Sequence, residues 1–139
     1  MDWKNEYSSG IEEIDNQHKQ LLRLLSIVDD EVKGDHRWPR IHDSIIDVIN
    51  FARFHFQFEE ALMRLYGFPD YEKHCKAHQQ IIVQAENLVA NTLDNIPQDD
   101  VVAFFVNWQV AHTQKEDLAY TQYILSGAKV IACTTLPQI

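Results

Sequence analysis

Residues 41–65, IHDSIIDVINFARFHFQFEEALMRL, decide the fold, because their apolar side chains recur at steps of three and four. That spacing is typical of one face of an amphipathic helix. The face carries Ile41, Ile45, Val48, Phe51, His55, Phe58, Leu62 and Leu65. The breaker Gly67-Phe68-Pro69 follows and predicts the end of the helix. A histidine therefore lies on a stripe that is otherwise apolar.

The same spacing recurs on both sides of this segment. One stripe runs from Ile11 to Val32, a third from Tyr71 to Leu88, and a fourth from Val101 to Ala119. Apolar residues rarely alternate with period two, so strands are not expected. Four helices joined by short turns predict an all-α fold, an antiparallel up-down-up-down four-helix bundle. We expect one domain over 1–139, with a short N-terminal arm (about 1–11), a bundle (about 12–125) and a C-terminal tail (about 126–139).

Charge and composition exclude several classes of function. The net charge is -9 and the basic residues are scattered, which argues against a nucleic-acid partner. No stretch approaches the ~18 apolar residues that cross a bilayer, and the N-terminus lacks the apolar run of a signal peptide. The two cysteines do not form a disulfide framework, which fits a reducing compartment. We therefore expect a cytoplasmic protein with no membrane partner. The sequence does not identify a protein partner.

Five of the seven histidines fall on the apolar stripes, and together they cover all four helices: His18, His55, His74, His78 and His112. A single histidine on such a stripe is more often a satisfied core residue than a metal ligand. Five are a different case, because each buried imidazole needs a hydrogen-bond or metal partner and these stripes offer few. A shared metal centre would satisfy all of them.

Spacing within the helices sharpens this hypothesis. His74 and His78 are four residues apart, as are His55 and Glu59, so each pair shares one helix face. Five histidines with carboxylates exceed the four ligands that one zinc ion usually takes, and they suit two ions that share ligands. The ferritin-like di-iron pattern needs paired Glu-x-x-His motifs, which the sequence lacks. The alternative is a metal-free helical protein in which these pairs face solvent.

Four segments contain these histidines and the neighbouring acids: Ile14-Asp15-Asn16-Gln17-His18, His55-Phe56-Gln57-Phe58-Glu59-Glu60, His74-Cys75-Lys76-Ala77-His78 and His112-Thr113-Gln114-Lys115-Glu116-Asp117. Together, in this order and spacing, they resemble the haemerythrins, and specifically the bacterial single-domain kind. The resemblance runs from about Trp3 to Tyr123. It implies two non-haem iron ions as cofactor, one held by His74, His78 and His112 and the other by His18 and His55. Glu59 and Asp117 would bridge them, alongside a single oxygen atom.

The choice of Asp117 rests on the resemblance alone. Helical geometry would favour Glu116, four residues after His112, because Asp117 lies about 140° around an α-helix from His112. For Glu59 and its neighbour Glu60, spacing and resemblance agree on Glu59. Tyr120 follows closely, and we expect a packed aromatic there rather than a hydrogen-bond donor to the centre.

The resemblance also implies a function. The second ion would keep one open position, where dioxygen binds reversibly for storage, delivery or scavenging. The pocket beside it would comprise Leu21, Phe56, Trp108, Gln109 and Thr113. Gln109 and Thr113 depart from the family, which usually has aliphatic residues there, and polar groups at these positions favour the alternative of a peroxidase or oxidase. An oxygen or redox sensor is a further alternative, although we predict a protein that is not an enzyme.

Overall fold

A computed structural model of the chain contains three long helices followed by a composite fourth. Helix α1 spans Glu12–Lys33, α2 spans Trp38–Tyr66 and α3 spans Tyr71–Ala90. The structure describes residues 3–34, 38–90 and 98–127, except for the side chains at 98–102, 109, 110, 113 and 114. Residues 91–97 and most of the predicted C-terminal tail lie outside these residues.

The fourth bundle helix changes its winding partway along. Helix α4 spans Gln98–His112, a π-helical turn covers Thr113–Asp117, and α5 spans Leu118–Leu125. His112 and Leu118, at the two junctions, both have right-handed helical backbone angles. The three pieces therefore form one continuous helix that contains one wider turn.

The helices close into a ring. Helix α1 packs against α2, α2 against α3, α3 against α4, and α4 returns to α1. No strand occurs among the described residues. The predicted all-α four-helix bundle is confirmed. Among the described helices, none combines the length and the apolar character that crossing a lipid bilayer requires.

The bundle core contains two apolar clusters along its length. The larger includes Leu21, Ile45, Phe56, Ala85 and Phe105. The smaller contains the fully buried Ile14, Met63 and Tyr120. On each bundle helix the histidines and acids singled out above lie between residues of the two clusters. A polar layer is therefore enclosed by apolar layers above and below.

The turn after α2 positions one wall of the smaller cluster. Gly67 has a φ of 66°, in the left-handed region that glycine enters without a Cβ penalty. The Phe68 N–H donates to the Met63 carbonyl at 3.0 Å and the Gly67 N–H to the Arg64 carbonyl at 3.2 Å. These two bonds form a Schellman motif, which ends the helix and directs the next apolar residue inward. Phe68 accordingly packs beside Met63 and Tyr120.

The N-terminal arm is bound to the start of α1 through Asp15. Its carboxylate accepts hydrogen bonds from the Ser9 backbone N–H and hydroxyl, each at 2.8 Å, and from the Ser8 hydroxyl at 2.8 Å. Tyr7 is buried, and its ring meets Trp3 edge-on at 5.7 Å. The arm therefore covers one end of the bundle.

Candidate metal centre

Side chains from all four bundle helices converge in the polar layer. They form two groups, and within each group the ligating atoms lie within 4.8 Å of one another. The first group is Glu59, His74, His78, His112 and Asp117, and the second is His18, His55, Glu59 and Asp117. All seven are buried. The structure thus brings together every residue that the sequence predicted as a ligand.

All five imidazoles present Nε2 to the two shared carboxylates. The Nε2 atoms of His18, His74 and His112 lie 2.9, 3.2 and 2.9 Å from Asp117 oxygens. Those of His55 and His78 lie 3.1 and 3.3 Å from Glu59 Oε1. The rings enter from different helices, yet one type of nitrogen atom surrounds one small space.

The carboxylates face both groups at once. Asp117 directs Oδ2 at His18 of the second group and Oδ1 at His74 and His112 of the first. Glu59 Oε1 lies between His55 of the second group and His78 of the first. Each carboxylate is therefore placed as a ligand that two ions can share.

Several of these atoms lack a hydrogen bond. His55 Nε2, His74 Nε2, Glu59 Oε1 and Asp117 Oδ1 are buried and have no hydrogen-bond partner among the described residues. Two of the nitrogens nevertheless lie within 3.2 Å of a carboxylate oxygen. Buried polar atoms left unpaired are costly, and a cation among them would satisfy nitrogen and oxygen donors together. The residues present therefore fit a bound metal.

The pKa values of the buried acids and histidines in the site depend on how these groups pair with one another. Burial by itself would raise the pKa of Glu59, but the charge of His55 and contacts with three histidines hold that pKa well below its ordinary value. Burial would lower the pKa of His112, but the nearby Asp117 carboxylate raises it well above the ordinary value. Without metal, protons on His55 and His112 thus compensate the buried carboxylates.

The π-helical turn explains why Asp117 faces the centre. It makes the turn after His112 one residue wider than an α-helical turn, which returns the fifth residue, rather than the fourth, to the same side. Asp117 is fully buried, whereas Glu116 is largely exposed. The expectation from regular helix spacing, which favoured Glu116 for the inner position, is wrong for this reason.

Three residues act behind the predicted ligands, and the sequence assigned them no such role. Glu60 Oε2 lies 2.9 Å from His78 Nδ1, Glu116 Oε2 lies 2.8 Å from His112 Nδ1, and Gln17 Oε1 lies 2.6 Å from His55 Nδ1. Each holds its imidazole so that Nε2 points inward. Glu60 and Gln17 contact histidines on other helices, so no spacing along the chain revealed them.

Tyr120 has a polar role beyond its packing. It is fully buried, and its hydroxyl donates to Glu59 Oε2 at 2.5 Å. Burial, followed by the Glu59 charge, raises the pKa of the phenol far above its ordinary value, so the hydroxyl keeps its proton. The expectation of an aromatic that does not donate to the centre is therefore wrong.

Three of the predicted pocket residues belong to one apolar cluster, and two of them contact imidazoles. The Phe56 ring stacks on His78 with centroids 3.9 Å apart and meets Trp108 edge-on at 5.3 Å. Leu21 is fully buried in the same apolar cluster. The side chains of Gln109 and Thr113 lie outside the described part of the structure.

Fold and site together define a class: a helical bundle with a buried histidine and carboxylate centre able to bind metal. Residues 9–124 match the family model described as the Hemerythrin HHE cation binding domain, and the chain belongs to the haemerythrin family. It is similar to the bacteriohemerythrin of Pseudomonas paraeruginosa, 26% identical over 123 residues that cover 88% of this chain and 80% of that protein. The bacteriohemerythrin of Clostridium acetobutylicum is 27% identical over 125 residues, 85% of this chain and 96% of that one.

The similarity extends to a hemerythrin-like protein of Naegleria gruberi. That protein is 24% identical over 120 residues, which cover 86% of this chain and 90% of that protein. The resemblance read from the four sequence segments is thus confirmed at the level of the family.

Proposed function

We propose that this chain is a non-haem di-iron protein that binds dioxygen reversibly. The observation that carries the proposal is the pair of overlapping ligand groups that share Glu59 and Asp117. Membership of the haemerythrin family, whose bacterial members include the relatives named above, supports it.

The donor set suits two ions that share ligands better than one zinc ion, and it is compatible with iron. Imidazole suits iron, zinc, copper and nickel, whereas carboxylates favour harder ions. One zinc ion usually takes four ligands, and seven buried donor residues exceed that number. In the proposal, His74, His78 and His112 hold one iron, His18 and His55 hold the other, and Glu59 and Asp117 bind both.

The unequal groups support binding of a small ligand at one ion only. The second group has one protein residue fewer than the first. A metal with fewer protein ligands than it can accommodate keeps a position for an external molecule. Two ferrous ions held here would supply the two electrons of reversible dioxygen binding and recover them on release.

The protein's own residues would keep the site dry and its ligands oriented. We propose that Leu21, Phe56 and Trp108 line the oxygen pocket. They belong to one apolar cluster, and Phe56 lies beside His55 of the second group with ring centroids 6.0 Å apart, which supports an apolar wall that excludes water. Gln109 and Thr113 would complete the pocket. Tyr120 holds Glu59 through one oxygen and leaves the other oxygen facing the imidazoles.

We further propose a single domain over 1–139 that is not an enzyme and works in the cytoplasm, with dioxygen as its partner and no nucleic acid. The family match over residues 9–124 supports one domain, and the free thiol of Cys75 fits a reducing compartment.

The test is iron content followed by cycles of oxygenation. Protein purified and reconstituted with ferrous iron should retain two iron atoms per chain, one for each ligand group. Exposure to air should produce a visible absorption band that disappears under argon and returns over repeated cycles. Protein that retains no iron would refute the proposal, and irreversible decay with peroxide turnover would favour an oxidase or peroxidase instead.

A matched pair of variants controls for nonspecific iron. His55→Ala removes a buried imidazole of the second group, and His42→Ala removes a histidine outside both groups. The first variant should lose one iron atom and the oxygenated band, whereas the second should keep both. Equal iron content in the two variants would place the metal elsewhere.

A further inference from the structure

The two ligand groups differ in the charge that stands behind their imidazoles. In the first group, the carboxylate of Glu60 contacts His78 Nδ1 at 2.9 Å, and that of Glu116 contacts His112 Nδ1 at 2.8 Å. A carboxylate only accepts, so His78 Nδ1 donates to Glu60, whereas Glu116 faces His112 Nδ1 as an ion pair without hydrogen-bond geometry. With a metal bound at Nε2, a carboxylate would stand behind the Nδ1 of both rings. An anion behind a histidine ligand raises the basicity of its inner nitrogen. The inner nitrogens of two of the three imidazoles in this group are therefore more basic, and they should bind metal more strongly.

Among the described residues, no anion contacts the Nδ1 atoms of the second group. His55 Nδ1 contacts the neutral amide of Gln17 at 2.6 Å, and Gln17 is in turn held by Glu13, which accepts from Gln17 Nε2 at 3.0 Å. His18 Nδ1 is buried without a hydrogen-bond partner in the described part of the chain. The amide orients His55 but supplies no formal charge. The second group therefore has fewer ligands than the first, and its imidazoles are less basic.

The shared carboxylates separate the two binding steps, whichever position fills first. Glu59 and Asp117 belong to both groups, so an ion bound in the first group reduces the negative charge available to a second ion. Two cations close together also repel, and burial weakens the screening of that repulsion. Binding of the first ion thus makes binding of the second less favourable.

We propose that the two metal positions fill in a fixed order, the three-histidine position first, because Glu60 and Glu116 strengthen its imidazoles. The proposal rests on the metal centre described above. At one equivalent of metal, the main species should therefore be a chain with one ion at His74, His78 and His112. When metal is removed, the two-histidine position should lose its ion first. The neutral amide of Gln17 contributes to the weaker affinity of that second position.

The order is tested with the metal alone on the full chain. Metal-free protein labelled with ¹⁵N at histidine is titrated with Zn²⁺, and the Nε2 shift of each assigned imidazole is followed by NMR. After one equivalent, the signals of His74, His78 and His112 should have shifted, and those of His18 and His55 should shift only with the second equivalent. A first equivalent that shifts His18 and His55, or five signals that move together, would overturn the proposed order.

The cause is tested with matched charge changes. Glu60→Gln and Glu116→Gln each remove an anion behind the first position and should weaken the first Zn²⁺ step by about 10- to 100-fold, measured by competition with a chromophoric chelator. Gln17→Glu adds an anion behind His55 and should tighten the second step by about tenfold. Glu86→Gln changes the same charge on an exposed residue paired with Arg53 and should leave both steps unchanged.

The outcomes separate this proposal from the function above. If Glu60→Gln and Glu116→Gln change the two Zn²⁺ steps no more than Glu86→Gln does, the carboxylates behind the imidazoles have no role in the order. The metal centre would remain in place. If a glutamine variant fails to fold by circular dichroism, Gln17→Glu still tests the argument, because an unchanged second step would refute it. A wild-type chain that binds no Zn²⁺ and retains no iron would refute the metal centre itself.

Discussion

The hydrogen bond between Tyr120 and Glu59 shows how one residue connects the apolar core to the polar layer. The ring of Tyr120 belongs to the smaller apolar cluster, while its hydroxyl donates to Glu59 Oε2. Glu59 is fully buried, so that oxygen depends on the phenol for its hydrogen bond. Hydrogen bonds to charged groups contribute more than neutral ones, and removal of the donor leaves a desolvated acceptor.

Tyr120→Phe should therefore destabilise the metal-free protein by about 2 kcal/mol, measured by denaturant unfolding. The matched control is Tyr71→Phe, which removes a hydroxyl that accepts from Arg64 at 2.9 Å in an exposed setting. That change should cost less than about 0.5 kcal/mol. Equal losses in the two variants would show that the Glu59 contact contributes nothing specific.

At the scale of the element, the π-helical turn Thr113–Asp117 decides which acid enters the centre. An α-helix with the same sequence would direct Glu116 toward the side of His112 and place Asp117 about 140° around the helix from His112. The wider turn reverses this and leaves Glu116 outside, where it contacts His112 Nδ1. One extra residue in the turn thus supplies both an inner ligand candidate and an outer carboxylate for the same imidazole.

This geometry predicts that deletion and insertion in the turn have unequal effects. Deletion of Lys115 should give a regular α-helix in which Asp117 follows His112 by four residues and α5 keeps its register. Insertion of one alanine after Lys115 should rotate Asp117 and Tyr120 out of the core. The insertion should cost about 3 kcal/mol or more in denaturant unfolding, as expected for a buried charge pair that loses one partner.

The readout that distinguishes the two changes is Zn²⁺ binding. The deletion variant should retain two binding steps, with the first weakened because Glu116 leaves His112 Nδ1. The insertion variant should lose both steps. If the deletion weakens Zn²⁺ binding as much as the insertion does, the turn does more than add one residue to an α-helix.

For the whole molecule, the buried charges make the stability of the metal-free protein depend on pH. Glu59 and Asp117 have lowered pKa values, so their contribution is present above the ordinary carboxylate range and is lost as the pH falls through the lowered values. His55 and His112 have raised pKa values, so their contribution is full below the ordinary histidine pKa and is lost as the pH rises through the raised values.

The free energy of unfolding of the metal-free protein should therefore be greatest between about pH 5 and pH 6.5 and decrease on both sides. Urea denaturation at a series of pH values measures this. Protein loaded with Zn²⁺ is the control, since the metal replaces the protons on the imidazoles and should keep the protein stable as the pH rises to 9. A metal-free protein whose stability increases from pH 6.5 to pH 9 would contradict the assigned shifts of His55 and His112.

The sequence by itself determined the fold class and the set of candidate ligands. Apolar residues at steps of three and four define helices, and a histidine on such a stripe must enter the core because the stripe does. His55 with Glu59, and His74 with His78, followed from the same local rule. Asp117 did not, and only the resemblance to haemerythrins selected it.

The tertiary structure alone decided the winding of the fourth helix and the partners behind the imidazoles. The π-helical turn leaves no periodic signal in the sequence, because its stability depends on contacts of Asp117 and Tyr120 with other helices. The contacts of Gln17 with His55, Glu60 with His78 and Tyr120 with Glu59 join residues 18 to 61 positions apart. Spacing along one helix predicts which residues share a face, but helix packing determines which side chain each face meets.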